Sequence, residues 1–461
     1  MSVFTPLRDQ LGTDVFQIPG EFDPAGRMHD FVTGAPEGAM ILGVARPRST
    51  QEVSEILKFC SAHDIKVTPQ GGMTGLAGGG VPVGQCVLLS LERMRAIEEV
   101  DAAAGTITVQ AGAPLETVQI AADQAGLFFP LDLGGRGTAQ VGGNASTNAG
   151  GNRVVRYGMM RALVLGMEWV MADGTIVTSL NKMIKNNAAY DLKQLFIGAE
   201  GTLGVITRLV LRLYPKARSV STGLCALKDY AGVLDLLARA RGGFGATLSA
   251  FEMMWPEFYH LGTTALNRTP PIAPEHGVYV LMESMGDDPE ADKARFEQVI
   301  AEAIEAGTVQ DAVVAQSGRE AQALWAIRDC PGEFQTAGFW PQLSFDISIP
   351  TGQMGDYMHD IKAKLLARWP DLNMVFFGHV ADSNLHLSVK TSGDARLDHQ
   401  IEEMVYSSVG DWSGSISAEH GIGVHKKEFL HFSRTPEEIA LMRTLKKALD
   451  PKGILNPGKV F

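Results

Sequence analysis

Hydrophobic and polar positions divide the chain into two textures that meet near residue 215. Before it, short apolar runs are bounded by turn formers. They predict strands at CVLLSL (86–91), TITVQAG (106–112) and LGMEWVMADGTIVTS (165–179), where ADG (172–174) is a hairpin turn signal. Helical periodicity covers about 50–62 and 114–125, and GVITRLVLRLYP (204–215) reads as a closing strand. Glycine clusters separate these runs: GGMTGLAGGGVPVG (71–84), GGRGTAQVGGNASTNAGG (134–151) and GAEGTLG (198–204).

After Pro215, apolar strands alternate with amphipathic helices. In 289–307 the residues Phe296, Val299, Ile300, Ala303 and Ile304 fall on one helical face, while QLSFDISIP (342–350) alternates like a half-buried strand. Thr435, followed by Pro436 and two glutamates, marks the start of a terminal helix. No internal repeat or low-complexity linker interrupts the pattern.

Bulk properties narrow the class. A chain of 461 residues exceeds one ordinary core and predicts two or three domains. A net charge of −12 disfavours nucleic acid or an anionic membrane surface as partner. The four cysteines, Cys60, Cys86, Cys225 and Cys330, are far apart, which suits a reducing compartment and excludes a cysteine-rich metal site. The N-terminal stretch has neither the apolar core of a signal peptide nor the Arg/Ser bias of a transit peptide. No run approaches 18 apolar residues, so no transmembrane segment is expected. These features predict a cytoplasmic enzyme.

Glycine lets a backbone approach a ligand and offers its N–H groups to phosphate, so PQGGMTGLAGG (69–79) suggests a pyrophosphate cradle. Neither standard nucleotide fingerprint is present. No G-x-G-x-x-G follows a strand, and GILNPGKV (453–460) has Val460 where a phosphate-binding P-loop needs Ser or Thr.

FFGHVADSNLHLSV (376–389) places His379 and His386 around the turn-forming ADSN. Seven positions apart, they would lie on opposite faces of one straight strand, but a reversal at ADSN lets them meet across a hairpin. SISAEHGIGVHKK (415–427) adds Glu419 and His420. Two imidazoles and a carboxylate suit a divalent metal such as Zn²⁺. On a regular strand Glu419 and His420 would face opposite ways, whereas irregularity before GIG would let both converge; spacing leaves this open.

FPLDLGGRGTAQVGGNASTNAGGNRVVRYG (129–158) and YDLKQLFIGAEGTLGVIT (190–207) resemble the FAD-binding domain of the vanillyl-alcohol oxidase superfamily. From about residue 35 to the terminal DPKGILNPGK, the chain is similar to D-2-hydroxyglutarate dehydrogenases and D-lactate-type D-2-hydroxy-acid dehydrogenases. The resemblance implies an α+β fold. An N-terminal segment (1–34) precedes a PCMH-type, two-subdomain FAD-binding domain (35–215). A substrate, or cap, domain (216–430) with a largely antiparallel sheet follows, and a tail (431–461) returns to the FAD domain.

By the same resemblance, Pro69, Gly71, Gly72, Met73, Thr74, Gly75, Gly78 and Gly79 wrap the FAD pyrophosphate. Pro130, Leu131, Asp132, Gly135, Thr138, Gly142, Gly143, Asn144, Ala145, Thr147, Asn148 and Gly150 line the isoalloxazine and ribityl chain. Glu200, Gly204, Ile206 and Asn456 complete the site. These loops contain no histidine, which implies non-covalent FAD. The family motifs GHxGDGNxH and EHGIG assign His379, His386 and Glu419 to the metal (Zn²⁺, or Mn²⁺ or Co²⁺) and His420 to proton abstraction. Substrate contacts fall to Arg328 in LWAIRDCPGEF, to Ser344 and Ser388, and to the two metal-binding histidines.

The implied reaction oxidises a D-2-hydroxy acid to its 2-oxo acid. The metal polarises the 2-hydroxyl and hydride passes from C2 to flavin N5. The electrons then go to electron-transferring flavoprotein, a quinone or a cytochrome, and a homodimer is implied. The chain departs from the glutarate enzymes where they carry Thr, Lys and Asn; here Gly332, Ser344 and Ser388 stand. GDGN has become ADSN. Losing polar contacts to a second carboxylate makes D-lactate or a bulkier D-2-hydroxy monocarboxylate at least as good a candidate as D-2-hydroxyglutarate. A non-haem metal oxygenase and a non-catalytic flavoprotein subunit are the alternative classes.

Overall fold

The computed structural model describes residues 3–461, which form two compact units. The first comprises residues up to Gly151, Gly158–Lys216 and Glu419–Phe461; the second comprises Asn152–Tyr157 and Ala217–Ala418.

The first unit holds two sheets. In the four-stranded one the order is Phe16–Gln17, Met40–Ala45, Gln85–Ser90, Lys66–Gln70, and the last three are parallel. Parallel pairing needs a crossover, and helix Thr50–Ala62 supplies it between Met40–Ala45 and Lys66–Gln70. Ser49 caps that helix by accepting from the Glu52 amide, and Val53, Ile56, Leu57 and Cys60 form its buried stripe. Residues 3–34, within the expected N-terminal segment, belong to this unit. Phe16 is fully buried, and Gln17 pairs with Val44.

The five-stranded sheet is antiparallel, in the order Ile97–Asp101, Thr106–Gln110, Val205–Arg212, Val164–Val170, Ile176–Ser179. The strand expected to close the region, Val205–Arg212, occupies the centre. This explains its nearly continuous burial. The tail extends the other sheet: Leu455 bridges Val67 in parallel, and the Asn456 amide donates to Val67 O at 2.7 Å.

The second unit is built on a seven-stranded antiparallel sheet. Its order is Val309–Val314, Ser219–Leu227, Val278–Gly286, Leu248–Met254, Asn373–His379, Asn384–Lys390, Gln342–Ser348. Helix Pro289–Glu305 buries Phe296, Val299, Ile300 and Ala303, but Ile304 is 46% exposed. At 100° per residue Ile304 lies some 80° around the helix from Phe296, at the margin of the stripe.

Two segments lie on different units from those expected. Residues 152–157 join the second unit. There Arg153 Nε donates to Glu283 Oε1 at 3.2 Å and Arg156 donates to the Met285 carbonyl. The return to the first unit comes at Glu419 rather than 431, because the Ile422 and Gly423 amides bind Glu200.

Candidate active site

The glycine loops of the first unit are pressed together. A Cβ on Gly72 would stand 1.9 Å from the Thr138 carbonyl oxygen, so only glycine fits there. Gly135 also lies close to Thr74, and a Cβ on it would stand 3.1 Å from the Thr74 Cβ. The two loops border a cleft of about 470 Å³, lined by Gly71, Gly72, Met73, Thr138 and Gln140, with Arg27 and Arg95 at its edge. Buried amide oxygens of this unit without a hydrogen-bond partner among the described residues include Gln70 Oε1, Gln140 Oε1, Asn144 Oδ1 and Asn456 Oδ1. Such orphans are costly unless a ligand satisfies them.

Glu200 and Asn456 tie the tail to these loops. Both have left-handed backbones, φ +52° and +41°. Glu200 accepts from the Ile422 amide at 2.7 Å and the Gly423 amide at 2.8 Å. Asn456 Nδ2 donates to the carbonyls of Gly79 at 2.9 Å and Glu200 at 2.6 Å. Burial pushes the Glu200 carboxyl up against the lowering pull of the two amides, and burial pushes Lys459 down to about 8. Asp30, not singled out from sequence, accepts from the Gly78 amide at 2.7 Å and so holds the loop from below.

Other residues expected at the cofactor are closely packed by their neighbours. A Cβ on Gly142 would lie 2.5 Å from Ala111 Cβ, and one on Gly204 would lie 2.9 Å from the Phe196 ring. Ile206 is a buried strand residue, and Asn148 Oδ1 accepts from the Arg161 amide at 2.8 Å.

In the second unit one sheet face gathers the candidate chemistry. Asn373–His379 and Asn384–Lys390 form the hairpin, with 380–383 as its turn and Ser383 at φ +72°, where the family motif has Gly. Phe377 opposes His386, and His379 is two residues beyond Phe377. All three therefore share a face, and the seven-residue gap is reconciled. The His379 and His386 rings lie 5.3 Å apart, nearly perpendicular. Two neighbouring strands add acids to this face: Glu252 opposes His379, and Asp346 opposes His386.

The contacts follow this register. Glu252 Oε1 lies 2.7 Å from His379 Nδ1, and Glu252 Oε2 accepts from Arg328 Nε at 2.7 Å. Arg328 Nη2 lies 3.1 Å from His379 Nε2, with its guanidinium 5.0 Å from the Phe377 ring centre. Burial would raise the Glu252 carboxyl, but His379 and Arg328 beside it hold it below the usual range. Asp346 Oδ1 accepts from Asn384 Nδ2 at 2.9 Å and stands 3.9 Å from His386 Nδ1. Asp346 Oδ2 accepts from the Ala418 amide at 3.1 Å. Burial raises Asp382 to about 6, and its Oδ1, like Asn384 Oδ1, has no hydrogen-bond partner among the described residues.

Ser344 and Ser388 are direct cross-strand partners on the same face as His386. Gly332 is exposed, with open space around a Cβ. Phe339 belongs to the core beside Phe334, and Trp340 is exposed. Glu419 and His420, both half-buried, open the re-entering segment of the first unit.

Residues 41–179 match the family described as FAD binding domain, and residues 216–460 the family described as FAD linked oxidases, C-terminal domain. Over 419 residues the chain is 40% identical to D-2-hydroxyglutarate dehydrogenase, mitochondrial, of Arabidopsis thaliana, covering 90% of this chain and 74% of that protein. It is 37% identical over 426 residues to D-2-hydroxyglutarate dehydrogenase of Xanthomonas citri pv. viticola, covering 91% and 89%. The chain belongs to the D-2-hydroxyglutarate dehydrogenase family of FAD-linked oxidases.

Members of this family are FAD-dependent oxidoreductases, and this chain is one of them. The solved structure of p-cresol methylhydroxylase shares the fold, with a TM-score of 0.79 at 15% identity over 99% of this chain and 96% of that one. The glycine-walled cleft, with the orphaned acceptor Gln140 Oε1 on a residue of its lining, fits FAD, whose hydroxyls and imide N–H are donors. The expected cytoplasmic location is overturned. The Arabidopsis relative is named mitochondrial, as is a Schizosaccharomyces pombe protein provisionally named a D-lactate dehydrogenase, 38% identical over 90% of this chain and 80% of that protein. No helix among the described residues is long and apolar enough to cross a membrane.

Glu252 and Asp346 carry a signal that could have been read earlier. Each is a lone acid in an otherwise uncharged strand, LSAFEMM and QLSFDIS. An ionisable group is rarely buried there without a partner.

Proposed function

We propose that this dehydrogenase oxidises a D-2-hydroxy acid to the 2-oxo acid, with the His379–His386 face holding the acid. The main support is that face itself: two imidazoles 5.3 Å apart, flanked by two buried carboxylates and a buried arginine. In this reading His379, His386 and Glu419 hold a divalent cation of the Zn²⁺ class, Mn²⁺ and Co²⁺ using the same donors; the ion would acidify the substrate hydroxyl. Glu419 is the residue after Ala418, whose amide is bonded to Asp346, so one peptide length separates it from a segment fixed on this face. His420 accepts the hydroxyl proton, the general-base role open to a neutral imidazole. FAD, held non-covalently by the 69–79 and 130–150 loops with Glu200 and Asn456, would supply the hydride acceptor for C2, and an external flavoprotein, quinone or cytochrome would be the electron acceptor.

Arg328 pairs with the C1 carboxylate; its five N–H donors let one guanidinium serve several acceptors. Ser344 and Ser388 favour a monocarboxylate. They face each other across two strands where the glutarate enzymes carry Lys and Asn, so this pair offers a second carboxylate hydroxyls and no charge.

The test is anaerobic titration of the flavin-loaded protein with D- and L-2-hydroxy acids, watching the flavin absorbance near 450 nm. Bleaching by D-acids only, abolished by a chelator and restored by Zn²⁺, is expected. Bleaching that survives complete metal removal, or that survives His420→Ala at the wild-type rate, sinks the corresponding role.

A further inference from the structure

We propose that Glu252 is a positioning residue, which fixes the tautomer of His379 and the orientation of Arg328 with a single carboxylate. The inference rests on the reading that His379 holds a metal.

Strand Leu248–Met254 is buried at all seven positions, and Glu252 is its only charged residue. Its place opposite His379 is set by the pairing of two central strands, so the approach of the two side chains is built into the sheet. Glu252 is 1% exposed, His379 4% and Arg328 5%, so these groups answer to one another rather than to water.

The hydrogen-bonding roles leave one arrangement. An ionised carboxylate only accepts, so at 2.7 Å from Glu252 Oε1 the Nδ1 of His379 carries the proton. A guanidinium only donates, so at 3.1 Å from Arg328 Nη2 the Nε2 of His379 carries the lone pair. Two independent contacts thus select the neutral Nδ1–H tautomer. That form presents Nε2 to a metal, and a carboxylate on the distal nitrogen strengthens such a ligand.

The second oxygen of Glu252 acts on Arg328. It holds Nε at 2.7 Å, while the Phe377 ring lies against the guanidinium, so both act on the plane of the fork. Nη2 and a metal draw on the same Nε2 lone pair, which can serve only one of them. Metal on His379 therefore transfers an Arg328 donor to another acceptor, and the C1 carboxylate is the acceptor this reaction brings. Glu252 links metal loading to carboxylate binding by keeping Nε anchored during that exchange.

The experiment compares flavin-loaded wild type and Glu252→Gln. Zn²⁺ affinity is measured by competition with a chromophoric chelator, alongside kcat and KM for a D-2-hydroxy acid. Zn²⁺ affinity should fall about 10- to 100-fold and KM should rise, with flavin content unchanged. Zn²⁺ affinity within about threefold of wild type overturns the proposal. Wild type that binds no Zn²⁺ would instead sink the metal reading itself. A measurement on the unsubstituted protein covers misfolding of the variant. With ¹⁵N-labelled histidine and metal removed, the resonance that vanishes in His379→Asn should report the neutral Nδ1–H form at about pH 7.5; an Nε2–H form overturns the proposal.

Discussion

Phe377 and His386 are register partners across the hairpin, with ring centres 4.7 Å apart. Phe377 also lies under the Arg328 guanidinium and belongs to the core that includes Phe258 and Phe334. One ring thus supports a histidine from the side and an arginine from below. Phe377→Ala should cost about 3–5 kcal/mol of stability in urea unfolding, the range for emptying a buried aromatic site. Phe377→Leu should cost much less but raise KM, because packing volume returns without the flat surface under Arg328. Equal KM in Phe377→Leu and wild type would show that the ring serves packing alone.

Gly72 is a sharp test of the cofactor cleft. The obstacle to a side chain is a backbone carbonyl, that of Thr138, and a carbonyl held in a loop cannot rotate aside as a flexible side chain can. Gly72→Ala should therefore purify with little flavin and regain little on incubation with FAD. Gly143, where an added methyl would meet nothing within 4 Å, is the control. Gly143→Ala should retain flavin unless the methyl meets the cofactor itself, and absorbance near 450 nm per polypeptide reads both outcomes.

How far the sequence foretold this site depends on the range of the interaction. The ADG hairpin turn became the link between Val164–Val170 and Ile176–Ser179, and Thr435 forms a capping box with Glu438. Both signals are local, decided within a few residues. Glu252 meets His379 across 127 positions, and Asp346 meets His386 across 40; strand order, absent from any short motif, decides both. Ile304 failed for the opposite reason. Its periodicity was right, but it stood at the edge of the stripe, where neighbouring elements decide burial. The histidine hairpin was legible because the turn formers and both imidazoles lie in one segment.

Glu200 holds the segment that follows Glu419. Its carboxylate is the acceptor for two amides, Ile422 and Gly423. Glu200→Ala leaves both donors unmet, at roughly 1–3 kcal/mol each when buried. Glu200→Gln keeps one acceptor oxygen. The expected order of thermal stability is wild type, Glu200→Gln, Glu200→Ala, with proteolytic cleavage near 419–423 increasing in the same order. An unchanged cleavage pattern would separate Glu200 from the ordering of this segment.

Lys459 gives the tail a pH signature. Burial lowers it from its ordinary 10.5 to about 8. Between these values the unfolded chain binds more protons than the folded one, so stability rises with pH across that window; below about pH 8 the cost of burying the charge is fully present. Relative to Lys459→Met, which lacks the group, wild type should gain roughly 1.6 kcal/mol between about pH 8 and 9.5, the slope approaching about 1.4 kcal/mol per unit only between the two pKa values. Denaturant unfolding of both proteins at the two pH values checks the difference. A constant offset would mean that Lys459 keeps an ordinary pKa when folded.

Ser344 and Ser388 offer a test of substrate choice that leaves the chemistry intact. They are cross-strand partners, two positions along each strand from Asp346 and His386, so changes there alter the neighbourhood of the histidine face without touching its ligands. Ser344 is exposed and Ser388 is buried, which leaves a long side chain room at the first position and a polar amide a protein environment at the second. Ser344→Lys with Ser388→Asn restores two of the three positions at which the glutarate enzymes differ and adds a cation to this face besides Arg328. A hydrogen bond from Lys to a carboxylate is worth roughly 1.5–3 kcal/mol, a factor of about 10 to 100, with the exposure of position 344 favouring the lower end. The ratio of kcat/KM for D-2-hydroxyglutarate over D-lactate should rise by that factor, chiefly through KM for the dicarboxylate. A ratio that stays level, with D-2-hydroxyglutarate already the better substrate of the wild type, would show that the second carboxylate is bound elsewhere.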